Sequence, residues 1–309
     1  MKLKDNFYRV FEEHFRGSRE NIKAKQKIYI PFIEPIYKDY QEGIVLDIGC
    51  GRGEWLELLR DEGIPSQGVD LDSGMLEAAR AIDLNVIEGD GIDFLQNMDR
   101  ESAIAITAFH VAEHVSFDRL RTLIEEAHRV LKSGGVLILE TPNPENIRVA
   151  CESFYMDPTH QKPIPSTLLA FLPEYYGFAR IKKVLLNENE HLRVQHNVSL
   201  HHVIEGASQD YAVVAQKSAT PERISLIDKA FETEYGLHLN WLLEKFELRM
   251  LQGEEKIEKT LLQLQKAEKK ITEVEELAEN TKLQYLNVIN SYSWKLSRPL
   301  RWFKKVINN

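Results

Sequence analysis

The sequence has few cysteines, no basic surplus and no long apolar run. Only Cys50 and Cys151 are present, which argues against a disulfide framework and favours a reducing compartment. The formal net charge of −9 argues against broad nucleic-acid binding, which usually shows a basic surplus. No apolar run approaches the roughly 18 residues of a membrane-spanning helix, and the charged first residues do not form a signal peptide. We therefore expect a cytoplasmic globular protein.

Five short apolar runs alternate with helical patterns between residues 44 and 142. The runs are IVLDIG (44–49), SQGVDLD (66–72), LNVIEGD (84–90), AIAITAF (103–109) and GVLILETP (135–142). Such alternation is typical of βαβ units and predicts an α/β domain with a mostly parallel sheet. Two later runs, at 180–187 and 210–217, complete the predicted sheet, and a loop-rich insert is expected between 141 and 180. The predicted domain covers 41–218.

The regions on either side of this domain have different patterns. Residues 1–40 have aromatic and apolar residues at helical spacing, which predicts an N-terminal helical arm or lid. From Leu243 to Tyr285 an apolar or small residue returns every seventh position, among mostly Glu, Lys and Gln. This heptad pattern predicts a helical linker and coiled coil over 219–290, although one long helix packed back on the domain is the alternative.

Residues 291–309 form a basic segment with interleaved aromatic residues. It contains five basic residues and no acid. Tryptophan, phenylalanine and aliphatic residues lie between the basic positions, which is typical of an amphipathic helix in the headgroup region of an anionic membrane. We therefore predict a peripheral contact of this tail with the inner membrane. The alternative is a helix that docks on a partner or ends the coiled coil.

The stretch IVLDIGCGRGEW (44–55) places a glycine-dense turn between a predicted strand and a predicted helix. A P-loop would need a lysine and a hydroxyl residue after its last glycine, but Gly53 is followed by Glu54 and Trp55. A dinucleotide site has the wider spacing G-x-G-x-x-G. Asp47, two residues before the first glycine, suits a cofactor with a cationic end. These features favour S-adenosylmethionine, which carries a sulfonium and an ammonium group and no phosphate.

Two further acids follow the next two predicted strands. Asp70 lies about twenty residues past the glycine turn, where a carboxylate can accept both ribose hydroxyls of a nucleoside. Asp90 could accept the adenine amino group, with Gly91 giving room. Each acid taken singly could instead cap a helix. The predicted cofactor-binding residues are Asp47, Gly49, Cys50, Gly51, Gly53, Asp70, Leu71, Asp90, Gly91 and His110.

With LDIGCGRG, GVD, EGD and GGVLILETP in this order, residues 40–218 resemble the class I methyltransferases that depend on S-adenosylmethionine. The resemblance implies a Rossmann-like, seven-stranded sheet with its last strand antiparallel. It also implies that the acid of GVD binds the ribose and that the acid of EGD binds the adenine. The stretch FHVAEH (109–114) matches the part of this family that faces the methyl group, so the resemblance implies that His110 lines the cofactor pocket.

A narrower resemblance rests on RGSRENIK, FHVAEHV, ETPNPEN, DPTHQKPIP and SYSWKLSRPLR, together with the trailing coiled coil. These stretches look like methyltransferases of bacterial O-antigen and surface-polysaccharide clusters. Some of those enzymes terminate a growing glycan by methylating its last sugar or sugar phosphate. The resemblance implies a lipid-linked glycan acceptor at the inner membrane, a homo-oligomer formed through the coiled coil, and a polysaccharide-synthesis enzyme as a partner.

Four residues are predicted to act in catalysis. A sugar hydroxyl needs a base when it attacks a methyl group, and histidine or a positioned carboxylate is the usual choice. The candidates are Glu113 and His114, expected at the start of a helix, and Asp157 and His160 of DPTH. A phosphate acceptor would need no base, and DPTH could be only a capped turn.

Several other interpretations of the histidines were weighed. HVAEH formally matches a zinc-peptidase signature, but its first histidine follows a strand, which disfavours that interpretation. An Asp with two His could also ligate a divalent metal; this stays open, and no resident metal is predicted. His196, His201 and His202 are expected in a loop as polar surface.

The sequence therefore predicts an O-methyltransferase that uses S-adenosylmethionine and modifies a surface glycan. A lipid or small-molecule acceptor is the alternative within methyltransferases. A coiled-coil adaptor with a degenerate fold and an NAD-dependent oxidoreductase are alternatives from other classes. The complete motif set disfavours the adaptor, and the tight glycine spacing disfavours the oxidoreductase.

Overall fold

The computed structural model describes residues 17–189, 191–195 and 197–307, with side chains through Phe303. The strands are β1 (Ile44–Ile48), β2 (Ser66–Asp70), β3 (Val86–Glu88), β4 (Ala103–Phe109), β5 (Leu131–Pro142), β6 (Arg180–Leu186) and β7 (Asp210–Gln216). The helices up to β5 are α1 (Arg19–Gln26), α2 (Ile30–Tyr40), α3 (Glu54–Asp61), α4 (Ser73–Arg80), α5 (Gly91–Gln96) and α6 (Phe117–Val130).

The later helices are shorter, with one exception. They are α7 (Ile147–Cys151), α8 (Ser166–Tyr175), α9 (His191–Val194), α10 (Leu200–Glu205), α11 (Pro221–Ile224), α12 (Asp228–Glu232), α13 (Leu239–Asn290), α14 (Tyr292–Leu296) and α15 (Arg298–Ile307). Single 3-10 turns lie at Lys27–Tyr29, Ser153–Met156 and Ser225–Ile227.

The seven strands form one sheet in the order β3-β2-β1-β4-β5-β7-β6. The pairs among β1 to β5 are parallel, and β7 is antiparallel to both β5 and β6. The predicted Rossmann-like, mostly parallel seven-stranded sheet is confirmed. Because β7 runs in reverse, its first residue lies at the same edge as the carboxyl ends of the other strands, where open α/β sheets bind ligands.

Both faces of this sheet are buried, because alternate residues of a strand point to opposite faces. In β7, Tyr211, Val213 and Ala215 pack into one hydrophobic cluster, while Ala212 and Val214 pack into the other. The two buried faces explain why its sequence is a nearly continuous apolar run.

The N-terminal segment from Arg19 to Tyr40 is part of the second cluster. Tyr29, Phe32 and Ile36 are fully buried there. The helix α2 continues through both of its prolines: Pro31 lies in its first turn, where no amide donor is needed, and Pro35 lies further along. Residues 1–16 of the predicted arm lie outside the described residues.

Two predictions about irregular segments were wrong. The insert after β5 contains α7, α8 and a 3-10 turn instead of mainly loop. His201 and His202 lie on α10, where the His202 side chain accepts the Ser199 backbone amide in a capping box. The sequence reasoning missed this short helix because its capping box, which begins at Ser199, has a histidine instead of a glutamate at the third helical position. His196 lies outside the described residues.

The chain divides into two compact units, 1–246 and 247–309. The helix α13 has 52 residues. Its heptad residues Ile257, Leu264 and Ile271 are more than half exposed. Among the described residues, no helix is long and apolar enough to cross a membrane. The predicted boundaries at 40, 218 and 290 stay predictions.

Candidate active site

The glycine turn after β1 has a backbone that requires glycine. Gly49, Gly51 and Gly53 all have positive φ angles, which residues with a Cβ rarely adopt. A Cβ at Gly49 would lie 2.5 Å from the Val111 side chain. The Gly51 amide donates to Asp70 Oδ2 over 2.8 Å, which ties the turn to the end of β2.

A cavity of about 320 Å³, here called the cofactor cavity, opens beside this turn. It lies at the carboxyl edge of the sheet. Seven of the ten predicted cofactor-binding residues line it: Gly49, Gly51, Asp70, Leu71, Asp90, Gly91 and His110. The structure thus brings together residues from the ends of β1, β2, β3 and β4.

Three predicted cofactor residues are not among those lining the cavity. Asp47 is buried within β1, and its Oδ1 accepts the Thr107 hydroxyl over 2.7 Å. Cys50 is also buried, and burial raises the pKa of its thiol far above the ordinary value. Gly53 precedes α3 and supplies a carbonyl to Arg19. Cys50 and Gly53 belong to the turn and Asp47 to the strand before it, and none of the three lines the cofactor cavity.

Asp90 lines the cofactor cavity and also caps α5. Its Oδ1 accepts the amides of Ile92 and Asp93, at 2.9 and 3.1 Å. Both carboxylate oxygens accept Arg119 Nη2 at 2.6 Å. Asp90 therefore caps α5, as the alternative interpretation predicts, and it also lines the cofactor cavity.

His110 lies at the end of β4 with a φ of 55°. Its Nδ1 is 3.1 Å from Glu113 Oε1, and its Nε2 is 3.2 Å from Glu140 Oε1. Burial alone would lower the pKa of this ring, but the two carboxylates outweigh it and raise the pKa well above the usual value. Both nitrogens of His110 thus face carboxylates.

The prediction that Glu113 and His114 begin a helix was wrong. Both lie in the turn after β4, and α6 begins at Phe117 with Ser116 as its cap. The side chain of Glu113 is fully buried and accepts the Thr141 hydroxyl over 2.9 Å. Burial alone would raise the pKa of Glu113, but His110 outweighs it and lowers that pKa.

The four predicted catalytic residues meet in one cluster. His160 Nε2 lies 4.0 Å from Glu113 Oε1 and 3.9 Å from Asp157 Oδ2. The rings of His114 and His160 have centroids 4.7 Å apart. Gln161 holds the segments together, because its amide donates to the Glu113 carbonyl and its side chain to the His114 carbonyl, each over 2.9 Å.

The DPTH segment is also a capped turn, as its alternative interpretation predicts. Asp157 Oδ1 accepts both the amide and the hydroxyl of Thr159, at 2.8 and 2.6 Å. Burial opposes ionisation of Asp157, but the Thr159 hydrogen bonds and His160 outweigh it and lower its pKa. Burial lowers the pKa of His114, which is therefore neutral near pH 7.

A second cavity of about 270 Å³, here called the polar cavity, lies on the other side of His110. Most of its lining groups can form hydrogen bonds. The lining residues are Ile22, Lys25, Gln26, His110, Glu140, Leu186, Asn187, Gln209 and Asp210. The Gln26 Oε1 atom is buried without a hydrogen-bond partner among the described residues.

Two carboxylates that line the polar cavity accept hydrogen bonds from neighbouring side chains. The Tyr29 hydroxyl donates to Glu140 Oε2. Asn187 donates to Asp210 Oδ2 over 2.6 Å, and burial raises the pKa of Asp210. His110 lines both cavities.

The comparisons with known proteins agree with this geometry. A family profile described as a methyltransferase domain matches residues 19–207. A solved S-adenosylmethionine-dependent methyltransferase from Archaeoglobus fulgidus is 35% identical, with a TM-score of 0.60; the alignment covers 68% of this chain and 100% of that one. The chain belongs to the family of methyltransferases that depend on S-adenosylmethionine.

Two curated relatives are similar over a shorter stretch of this methyltransferase. An uncharacterized protein of Methanocaldococcus jannaschii is 30% identical over 116 residues, which cover 37% of this chain and 43% of that protein. A ubiquinone biosynthesis O-methyltransferase of Pseudomonas aeruginosa is 31% identical over 106 residues, which cover 32% of this chain and 44% of that protein. The chain thus spans less than half the length of these two relatives.

The cofactor of this methyltransferase domain is S-adenosylmethionine, and the cofactor cavity fits it chemically. The cavity has a glycine-lined wall, where a Cβ would intrude, and the acidic groups of Asp70, Asp72 and Asp90. Asp70 would hold the ribose, and its two carboxylate oxygens also accept the Asp72 and Gly51 amides. When bound, this cofactor supplies a methyl group on a positively charged sulfur.

Sequence reasoning missed much of the site. Arg119 was overlooked because it lies in the middle of a helical pattern. Glu140, Asn187 and Asp210 were overlooked because their strands were not yet placed beside β4. A signal was available: each is a polar residue at a strand end, and the resemblance already implied an antiparallel last strand.

Proposed function

We propose that this methyltransferase transfers a methyl group to a hydroxyl of a bacterial surface glycan, at the terminal sugar of a lipid-linked chain. The polar cavity beside His110 carries this proposal. The donors and acceptors among its lining residues suit an acceptor with several hydroxyl groups. An apolar ring would leave these groups without partners, which is costly for buried polar atoms.

The carboxyl groups of the polar cavity suit a sugar hydroxyl. Glu140 and Asp210 line the cavity together with Lys25 and His110, so its charges are mixed. Two carboxyl groups would oppose the nearly two negative charges of a phosphate, although Lys25 and His110 would partly offset them. A hydroxyl can donate to the same oxygens.

The residues of the site can position the acceptor and remove its proton. Methyl transfer forms a C–O bond and breaks the C–S bond, whose electron pair stays on sulfur, while the hydroxyl proton has to leave. Glu113, His114, Asp157 and His160, which lie together in one cluster, are the side chains proposed to take that proton. Alignment of the acceptor oxygen with the methyl carbon, at about 3–3.5 Å, is the other requirement.

The C-terminal tail supports an acceptor at a membrane surface. Leu296, Leu300, Trp302 and Phe303 are each at least 62% exposed. The Arg301 guanidinium lies 3.7 Å from the centre of the Trp294 ring, which pairs a cation with an aromatic face. Basic and aromatic groups of this kind bind anionic lipid surfaces.

The membrane contact can be tested by removing the tail. A chain that lacks residues 291–309 should no longer sediment with vesicles of phosphatidylglycerol and phosphatidylethanolamine, whereas the full chain should sediment. Equal sedimentation of both chains would contradict the membrane contact.

The exposed heptad residues of α13 support assembly into a homo-oligomer. Ile257, Leu264 and Ile271 are 53–63% exposed, and their burial in a second helix would be favourable. Replacing all three by aspartate should lower the mass measured by light scattering, whereas replacing the exposed Glu258, Lys266 and Thr272 by alanine should not. An unchanged mass in the aspartate variant would contradict assembly through α13.

A lipid quinone precursor is the second candidate acceptor. The similarity to the ubiquinone biosynthesis O-methyltransferase of Pseudomonas aeruginosa favours it. The polar lining of the cavity disfavours it, because the reacting ring of such an acceptor is largely apolar. We therefore prefer the glycan as the acceptor.

The two acceptors can be separated in one experiment. The full chain is incubated with methyl-labelled S-adenosylmethionine and either a lipid-linked glycan fraction or a quinone-precursor lipid extract, beside the Asp70→Ala variant. Label in the glycan, absent with the variant, is expected. Label only in the quinone extract would overturn the glycan proposal in favour of the second candidate. Label in neither, with cofactor binding intact, would overturn both.

A further inference from the structure

We propose that Glu113, His114 and His160 bind a divalent first-row transition-metal cation, which holds the acceptor oxygen beside the cofactor cavity. One potential ligand atom from each of these residues lies within 4.8 Å of the other two. Two histidines and one carboxylate are a recurring ligand set for such cations, with positions left open for other oxygen atoms.

The hydrogen bonds of the two imidazoles leave a lone pair on each ring. His160 Nδ1 lies 2.6 Å from the Phe154 carbonyl, which can only accept, so Nδ1 carries the proton and Nε2 is the free acceptor. Thr159 donates its hydroxyl proton to Asp157, so its oxygen accepts from His114 Nδ1 over 2.8 Å. Nε2 of His114 is therefore also free to bind a cation.

This arrangement is what metal-binding histidines require of their surroundings. Such histidines usually donate their other ring nitrogen to a carbonyl or carboxylate, which fixes the ring orientation. Here Phe154 supplies a carbonyl and Asp157 acts through Thr159. General-base histidines need only one such contact, so two neighbouring rings held in the same tautomer favour a shared cation.

The distances suit a small cation. Ligand atoms bound at about 2.0–2.1 Å are separated by at most about 4.2 Å across the metal. His160 Nε2 and Glu113 Oε1 are 4.0 Å apart, and small ring rotations would bring the third ligand within range. Asp157 Oδ2, 3.9 Å from His160 Nε2, adds negative charge beside the site.

The neighbouring group of His110, Glu140 and Asp210 is also compact enough for a metal. It is a poorer candidate, because both nitrogens of His110 already face carboxylates. A cation bound there would have to displace one of these contacts. In the Glu113 cluster only the carboxylate would share its contact with His110, since Glu113 Oε1 lies 3.1 Å from His110 Nδ1, whereas His114 and His160 keep theirs.

His114 also lines the cofactor cavity, so a cation at this cluster would lie where the acceptor meets the methyl group. Its role rests on the proposed hydroxyl acceptor, whereas its binding does not. A cation held by these residues would lower the pKa of a coordinated hydroxyl, so that its proton could pass to water. His114 and His160 would then serve as ligands and would not also act as the bases of the proposed function. The bonds formed and broken in methyl transfer are unchanged.

The first test is direct binding of Co²⁺ and of Mn²⁺ to the full, chelator-treated chain by isothermal titration. One site per chain is expected, with an affinity at least about 100-fold lower in His160→Gln than in wild type. His201→Gln removes an exposed imidazole outside the cluster and should bind as wild type does. Absence of binding to the wild-type chain, or equal binding by His160→Gln, would overturn the proposal.

A second variant addresses the surroundings of the ligands. Thr159 is exposed, so Thr159→Val should fold while losing the hydroxyl that orients His114. We expect its Co²⁺ affinity to fall about 10-fold or more and Thr159→Ser to restore it. Equal affinity in Thr159→Val and wild type would contradict the tautomer argument on which the site is built.

Failure of the metal site and failure of the glycan acceptor give different results. Glycan methylation that persists in a chelator, with no Co²⁺ binding, would overturn the metal site and leave the proposed function standing. Co²⁺ binding that His160→Gln removes, without any glycan methylation, would support the metal site and overturn the acceptor.

Discussion

The cofactor cavity and the polar cavity lie at the same edge of one sheet but are built in different ways. The cofactor cavity takes its walls from short stretches at the ends of β1, β2, β3 and β4 and from residues of α4 and α6. The polar cavity draws on α1 and on the ends of β5, β6 and β7, which lie far apart along the chain. The difference teaches that a cofactor shared by a whole family is bound by local motifs, whereas the acceptor site depends on tertiary packing.

The largest expected effect falls on the cofactor cavity alone. Asp70→Ala removes the carboxylate that tethers the Gly51 amide and faces the ribose site. Hydrogen bonds to a charged group contribute about 1.5–3 kcal/mol each, so we expect the affinity for S-adenosylmethionine to fall about 100-fold. Isothermal titration measures this, and Glu77→Ala on the exposed side of α4 is the control. Unchanged affinity would remove Asp70 from the cofactor site.

The next effect tests whether the glycine turn is shaped by backbone conformation or by space. Gly49→Ala and Gly63→Ala both place a Cβ at a φ near +70°, which costs about 1 kcal/mol. Only at Gly49 does the new atom meet a neighbour, Val111, at 2.5 Å, whereas nothing lies within 4 Å at Gly63. Urea unfolding should show a loss of about 2–3 kcal/mol for Gly49→Ala and about 1 kcal/mol for Gly63→Ala. Equal losses of unfolding free energy would show that the Val111 side chain moves to make room for the new Cβ.

A smaller effect is expected when only the polar cavity is changed. Tyr29→Phe removes the hydroxyl that donates to Glu140 and keeps the ring in the core. Loss of one hydrogen bond, at about 1–1.5 kcal/mol, should lower kcat/KM for methyl transfer about 10-fold, with cofactor affinity unchanged. Tyr37→Phe, on α2 outside the cavity, should leave both quantities unchanged. Parallel loss of cofactor affinity in Tyr29→Phe would show that the two cavities are not independent.

The smallest effect concerns α1, which lines the polar cavity and forms ion pairs with α3. Burial alone would raise the pKa of Glu57, but Arg19 and Lys23 outweigh it and lower that pKa. This stabilisation is present above the ordinary pKa of about 4.5 and is lost as the pH falls through the lowered value. Glu57→Gln should therefore lose less than about 1 kcal/mol at pH 7.

The pH dependence provides the check on this last prediction. The difference in unfolding free energy between Glu57→Gln and wild type should disappear at acid pH, below the lowered pKa of Glu57. Glu62→Gln, at the exposed end of α3, should show no difference at either pH. A difference for Glu57→Gln that persists at acid pH would mean that the ion pairs are not its source.

The sequence was a good guide where function depends on neighbours along the chain. Strand β4 was predicted at residues 103–109, as observed, because its apolar run is bounded on both sides by polar residues. Gly49, Gly51 and Asp70 line the cofactor cavity. Asp47 is buried in β1 instead, where it accepts the Thr107 hydroxyl from the adjacent strand, and its role in binding the cofactor stays a prediction.

The sequence by itself determined the order of the strands along the chain, the glycine turn, and the acids at the ends of β2 and β3. Each of these features depends on residues that are close together in the chain. Only the tertiary structure decided that His110 faces Glu113 and Glu140, that Glu113 meets His160 and that the polar cavity exists. The physical reason is that strands separated by many residues become neighbours in the sheet. Their ends then place at one edge polar side chains whose partners no local pattern specifies.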